Sequence, residues 1–318
     1  MFSEAFRITF SGVGQTFILA AIGFFLIRRK LLGEEGLNAL SRLVIEVTLP
    51  FLMFCRIVRE FDFRNFPQWW LFPLISIGIT ALGLLIGWFL TGFIGGQQRK
   101  LQFLSLISFQ NSGYLPLFLV ASMLSPDKRD VMFIYLFLFL LGFNLLMFSL
   151  GVYLLTFTRA KKFDYKTLAN PPVVATLAGL IVVFFNAARF IPGWLLAPLQ
   201  SAGDTSLPLA ILVVGGNLAV MHFDKVDIKA MSLLVLAKLI VLPALGLWLI
   251  FVFKLPELVG LLIVMQLAMP AATNLSVITS MYKKEDVLIT QGIFISHLVS
   301  LITIPVFLSF YFMINMIQ

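Results

Sequence analysis

Gln110-Asn111-Ser112-Gly113-Tyr114-Leu115-Pro116 interrupts one apolar run of this chain, and Met269-Pro270-Ala271-Ala272-Thr273-Asn274 interrupts another. Asn274 follows Asn111 by 163 residues, close to half of the 318-residue length. Hydrocarbon cannot satisfy freed backbone groups, so amides and prolines inside a membrane helix cost stability. A single such break reads equally well as a packing kink with polar contacts between helices. A symmetric pair, one in each half, points instead to the substrate site of a secondary transporter.

The composition agrees with a membrane setting. Hydrophobic residues make up 60% of the chain and charged residues 12%, with a mean hydropathy of +1.01. An all-α polytopic membrane protein follows. The net charge of +8 resides in short loops, where it sets membrane orientation, so nucleic acid is not an expected partner. The single Cys55 excludes an intramolecular disulfide and thiolate zinc sites. No H-E-x-x-H, nucleotide-binding glycine loop or intramembrane aspartate pair occurs, which argues against an enzyme and against metal or cofactor chemistry.

A helix needs about 20 apolar residues to cross the hydrocarbon core. Ten candidate spans are legible, at Phe10–Ile27, Leu40–Ile57, Trp70–Phe93, Leu101–Leu124, Val131–Phe157, Pro172–Ala188, Leu195–Met221, Met231–Phe253, Leu258–Met281 and Val287–Met313. The first carries its basic cluster, Arg28-Arg29-Lys30, after the apolar run, unlike a cleaved signal. Ten spans divide into two five-helix repeats over 1–157 and 171–318, joined by a charged linker over 158–170. An odd number of spans per repeat makes the second repeat inverted, with the interrupted spans fourth and ninth. Pro50 and Pro208 form a further pair, 158 residues apart. The odd-numbered loops hold more Lys and Arg, including Arg159, Lys161, Lys162, Lys166, Lys225, Lys283 and Lys284, although Arg56, Arg59 and Arg64 lie on the other side. The heavier side is expected in the cytoplasm, with both termini non-cytoplasmic, in a cell membrane.

Gln110, Asn111, Ser112, Gly113, Pro116, Pro270, Thr273 and Asn274 are the expected substrate-binding set. Pro116 removes a backbone donor and frees the carbonyl one turn earlier. Each break should also present a half-helix N-terminus that favours an anionic group. Four ionisable residues within or bordering spans are candidates for coupling to a proton or sodium ion: Glu46, Asp204, Lys238 and His297. Glu46 has an alternative in Arg42, four residues earlier, and Asp204 in an interfacial cap. Lys238 has one in snorkelling to the membrane surface, and His297 in a hydrogen-bonded packing role.

Several motifs resemble the auxin efflux carrier family. Asn170-Pro171-Pro172-Val173-Val174-Ala175-Thr176-Leu177-Ala178-Gly179-Leu180 is similar to the start of that family's second repeat. Met269 to Asn274, followed by Tyr282, is similar to its ninth span, Asn111 to Pro116 to its fourth, and Lys238 with Pro243 to its eighth. Two departures stand out: Pro116 lies five residues after Asn111 where the family often has Gly, and Leu275 replaces a second Pro of plant members. The resemblance implies a fold like plant PIN-type carriers and bacterial bile acid sodium symporters. Spans 1, 2, 6 and 7 would form a scaffold, and spans 3–5 and 8–10 a transport unit with spans 4 and 9 crossing. It further implies a homodimer in membrane lipid, working by an elevator motion on small organic anions such as malonate, malate or an auxin-like acid. A sodium-coupled symporter of the bile acid type and a transporter-like membrane sensor are the alternatives.

Overall fold

The computed structural model describes residues 2–156, 169–221, 226–281 and 287–315. Most of the 158–170 linker lies outside them, as do Tyr282, Lys225, Lys283 and Lys284. The described residues are helical, with no strand beyond one isolated bridge. The helices are α1 (Phe2–Arg28), α2 (Glu34–Leu43), α3 (Leu49–Glu60), α4 (Leu71–Leu90), α5 (Gln97–Ser108), α6 (Tyr114–Met123), α7 (Pro126–Leu146) and α8 (Val152–Thr156). They continue with α9 (Pro171–Phe184), α10 (Gly193–Asp204), α11 (Ser206–Val220), α12 (Ile228–Val235), α13 (Leu242–Phe253), α14 (Glu257–Ala268), α15 (Asn274–Met281) and α16 (Val287–Asn315). π-helical turns over Val44–Thr48, Met147–Gly151 and Leu236–Val241 join α2 to α3, α7 to α8 and α12 to α13.

Six helical stretches among the described residues are long and apolar enough to cross a membrane: Phe6–Arg28, Leu71–Phe93, Pro126–Thr156, Gly193–Val220, Ile228–Phe253 and Val287–Asn315. The chain is therefore a multi-pass membrane protein. The other four expected spans fall on α2–α3, α5–α6, α9 and α14–α15. Helix α9 stops after 14 residues, the α2–α3 stretch carries Glu46 and Arg56, and α5–α6 and α14–α15 each contain a non-helical segment.

Small residues let three pairs of helices come together. Helix α1 runs along α11, and α3 packs on α9 and α10. A Cβ on Gly215 would lie 1.7 Å from the Ala20 carbonyl oxygen, and one on Gly23 would lie 2.1 Å from that of Leu212. In lipid no hydrophobic force draws helices together, so backbone proximity of this kind supplies the dispersion contacts that do. A second group, α4, α5, α7, α13, α14 and α16, encloses a Phe-rich interior in which Phe103, Phe109, Phe133, Phe137 and Phe139 are almost fully buried. Runs such as Phe133 to Phe143 are thus packing surface rather than lipid-facing alone. Substituting Gly215 by Leu is expected to push α1 off α11, costing about 3 kcal/mol or more and lowering the melting temperature of detergent-purified protein by several degrees.

Candidate functional site

The non-helical segments 109–113 and 269–273 lie against each other and exchange backbone hydrogen bonds. Asn111 N–H donates to the Pro270 carbonyl at 2.8 Å, and Ala272 N–H donates to that of Phe109 at 3.0 Å. The result is a two-rung antiparallel bridge, with Gln110 opposite Ala271. Proline explains much of the local geometry. Pro116 stands in the first turn of α6, where its missing N–H removes no intrahelical bond. The Ser112 carbonyl, which residue 116 would otherwise pair with, accepts instead from Gln266 Nε2 at 3.2 Å. Ser296 completes the set, its Oγ accepting from Ala271 N–H at 3.1 Å and donating to the Ile293 carbonyl at 3.0 Å.

Beside this bridge lies a cavity of about 290 Å³. Gln110, Asn111, Ser112, Gly113, Thr273 and Asn274 line it, so six of the eight expected site residues are brought together. Pro116 and Pro270 are buried behind its wall, where they shape backbone. Helices remote in sequence contribute Ser41, Asn144, Asn170 and Asn217, along with Tyr114 of α6. None of these five was singled out as a site residue by sequence. Asn170 sat in a recognisable motif, and its side chain caps α9 by accepting from Val173 N–H at 3.1 Å. Asn144 and Asn217 are lone amides in apolar helices, and that is the signal available for them. Leu49, Leu140, Phe143, Phe148 and Ile278 form an apolar wall.

Three helix N-termini open on the cavity: Gly113-Tyr114 of α6, Thr273-Asn274 of α15 and Asn170 with Pro172 of α9. Unpaired N–H groups and the helix dipole give the α6 and α15 ends a partial positive charge, whereas α9 begins with Pro171-Pro172 and its Val173 and Val174 amides are taken by Asn170, so it contributes its dipole without a free N–H. Among the described residues, no Asp, Glu, Lys, Arg or His lines the cavity. Two buried amide nitrogens in its wall, Gln110 Nε2 and Asn170 Nδ2, have no hydrogen-bond acceptor. A buried donor without a partner is costly and is commonly a ligand's place.

The coupling candidates lie elsewhere. His297 is buried behind Asn111, with Nδ1 2.8 Å from the Ile293 carbonyl and Nε2 3.4 Å from Asn111 Nδ2. A carbonyl only accepts, so Nδ1 carries the proton and Nε2 of the neutral ring accepts from the Asn111 amide. Lys238 is 1% exposed, and its ammonium donates to the Ile107 carbonyl at 2.6 Å. It neither snorkels nor lines the cavity. Glu46 is exposed and forms no ion pair with Arg42, both being described residues. Asp204 is exposed at the end of α10 and accepts from Gln200 Nε2 at 2.6 Å.

A family model described as membrane transport protein matches residues 9–167 and 155–308. The chain belongs to this family, the auxin efflux carriers. It is similar to an uncharacterized transporter of Methanothermobacter thermautotrophicus, 24% identical over 291 residues, covering 91% of this chain and 93% of that one. It is also similar to Protein PIN-LIKES 5 of Arabidopsis thaliana, 27% identical over 118 residues, which cover 36% of this chain and 30% of that one. The protein is thus a membrane transporter by family. Replacing Gln266 by Leu is expected to strand the Ser112 carbonyl and destabilise the bridged segments by about 1–3 kcal/mol, read as a lower melting temperature without ligand.

Proposed function

We propose that this membrane transporter carries a small organic anion by alternating access, and that the cavity beside the crossing segments is its substrate site. The observation that carries the reading is the convergence of two open helix N-termini, those of α6 and α15, and a set of amides on one cavity without a charged side chain. Partial positive charge holds an anion there without the desolvation cost of a fixed ion pair. A carboxylate would take the amide end, from Gln110 Nε2, the second Asn111 amide hydrogen and the N-termini of α6 and α15. An apolar body would lie along Leu49, Phe143 and Phe148. On this reading a carboxylic acid with an apolar or aromatic body fits better than a compact dicarboxylate.

In the proposed architecture, ten membrane segments form two inverted five-helix repeats. Helices α5–α6 and α14–α15 are then broken spans 4 and 9, crossing at the two-rung bridge. Spans 1, 2, 6 and 7 form the scaffold and spans 3–5 and 8–10 the transport unit, which slides past it as an elevator. The packing of α1 on α11, of α3 on α9 and α10, and of α4, α5, α7, α13 and α14 supports that division, while α16 of the transport unit also packs along α1 of the scaffold, where Thr9 Oγ1 meets the Pro305 carbonyl at 3.2 Å and Ser309 Oγ at 2.8 Å.

Ser41, Asn144, Asn170 and Asn217 lie towards the helix ends joined by the odd-numbered loops, so the cavity is entered from that face. The loop charge bias puts this face in the cytoplasm, with both termini outside. At the opposite face Arg56 of the scaffold bonds Asp130 of the transport unit at 2.8 Å and Glu60 at 2.7 Å, and stacks 5.4 Å over the Phe133 ring. Among the described residues this is the one ion pair that ties the two units together. An inward-open state closed on its outer side is the conformation this arrangement supports.

Asn111→Ala removes the amide yet keeps the backbone rung to Pro270, so the variant is expected to fold. A thermal-shift screen of purified protein against aliphatic and aromatic carboxylates should raise the melting temperature of the wild type by mass action and leave Asn111→Ala unshifted. Equal shifts for both proteins would remove the cavity as the binding site.

A further inference from the structure

Helices α12 and α16 enclose a furrow of about 440 Å³ that shares no residue with the substrate cavity. Gly292 brings the two helices close: a Cβ there would meet Leu234 Cδ2 at 3.0 Å. Beside that contact Met231, Val235, Leu236 and Ile240, of α12 and the π-helical turn that follows it, form one wall, and Ile295 of α16 forms the other. Ser232 adds a hydroxyl. Ile228 and Ile240 mark the two ends, 12 residues apart along the chain. That separation is about 18 Å of helix, close to the depth of one leaflet, about 15 Å or half the hydrocarbon core. A neighbouring transmembrane helix would need a seat along α13 as well, and no residue of α13 lines the furrow. The length is that of an acyl chain.

The mouth of the furrow is basic. Asp227 caps α12 by accepting from Ala230 N–H at 3.0 Å, pairs with Arg99 of α5, and donates its own N–H to Gln291 Oε1 of α16 at 3.1 Å. One residue thus draws the ends of three helices together. Lys229 stands next to Ile228, its ammonium 5.9 Å from the centre of the Phe93 ring, within cation–π range. Neither Lys229 nor Lys100 forms an ion pair with a described carboxylate. Asp227 occupies only part of the five-donor Arg99 guanidinium. Among the described residues, three basic side chains at this end therefore face one carboxylate. Ser232 lies one turn along from Lys229 on the same helix face. Exposed Trp88, Phe89 and Phe93 place this end at the depth of the membrane interface, where aromatic side chains gather.

We propose that the furrow binds one anionic phospholipid, with the phosphate held by Arg99 and Lys229, the glycerol oxygens by Ser232, and an acyl chain along Met231, Val235, Leu236, Ile240 and Ile295. A zwitterionic phospholipid fits the same furrow but brings a positive charge to a mouth that already has an excess of it, so the site selects a headgroup of net negative charge. The loop charge bias puts the mouth on the cytoplasmic side, where anionic lipid gives the leaflet its negative surface potential. The inference stands apart from the anion-transport reading, because no substrate-cavity residue takes part in it.

The test titrates full-length, detergent-purified protein with phosphatidylglycerol and phosphatidylcholine of identical acyl chains, and reads retained lipid by native mass spectrometry. Wild type is expected to hold one phosphatidylglycerol per chain about tenfold more tightly than phosphatidylcholine. The double variant Arg99→Gln, Lys229→Gln should bind the two lipids equally. Lys229→Gln alone leaves the contacts of Asp227 intact and should cut the preference to about threefold, which decides the matter if the double variant does not fold. Ile240→Trp fills the furrow and should weaken both lipids alike. Arg28→Gln with Arg29→Gln, in another loop of the same face, should leave the preference as it is. Equal affinity of wild type for the two lipids overturns the proposal, as does an unchanged preference in both Lys229 variants. So does a matching loss from the Arg28 and Arg29 pair, which means diffuse surface charge. Unaltered lipid binding by Ile240→Trp overturns it too, as does displacement of the lipid by glycerol 3-phosphate, which means a site for free phosphate.

Discussion

Backbone polar groups in hydrocarbon must find partners within the protein, and the rest of this structure depends on how the two non-helical segments, 109–113 and 269–273, meet that demand. Each segment leaves N–H and C=O groups that a continuous helix would have paired. Some pair with one another across the two-rung bridge, and three more are taken up by side chains brought from elsewhere: Gln266 for the Ser112 carbonyl, Ser296 for the Ala271 amide and Lys238 for the Ile107 carbonyl. A break in one half therefore holds only because the other half is broken beside it. The polar residues that look expensive in the sequence are the partners that make the fold self-consistent.

The same satisfaction pattern shapes the site. The carbonyl ends at the breaks are capped from within, whereas N-terminal ends face open space, so the cavity inherits positive potential without a formal charge. That is suited to a ligand that must be released as well as bound. His297 contributes by fixing the Asn111 amide, with the Nε2 lone pair holding one amide hydrogen and leaving the oxygen and the other hydrogen available. Arg56 of α3 and Asp130 of α7 form an ion pair away from the cavity, and neither lines it.

Much of this was legible in the sequence because breaks in apolar runs are rare. Asn111, Pro116, Pro270 and Asn274 announce the two segments, and the freed carbonyl before Pro116 follows from proline's missing donor alone. The direction of ionisable side chains was not legible. Glu46 and Lys238 both sit in π-helical turns, where an added residue rotates the following side chains by about 100° from the regular helical phase. Glu46 consequently faces outward while Ser41, Ile45 and Leu49 reach the cavity. Asn144 and Asn217 escaped notice because each is one amide in an apolar helix, and only tertiary packing assembles them. Six of the ten expected spans are plain long apolar helices. The other four are short, broken or charged, and both kinds line the cavity, Asn144 and Asn217 coming from long apolar helices and Ser41 and Asn170 from the others.

The most direct measurement is a structure of the protein with a brominated aromatic carboxylate, in which the bromine locates the ligand by anomalous scattering. The account predicts bromine in the cavity along the Phe143–Phe148 wall, with the carboxylate density against Gln110, Asn111 and the N-termini of α6 and α15. A ligand bound elsewhere, or bound with its carboxylate turned to the apolar wall, would contradict it.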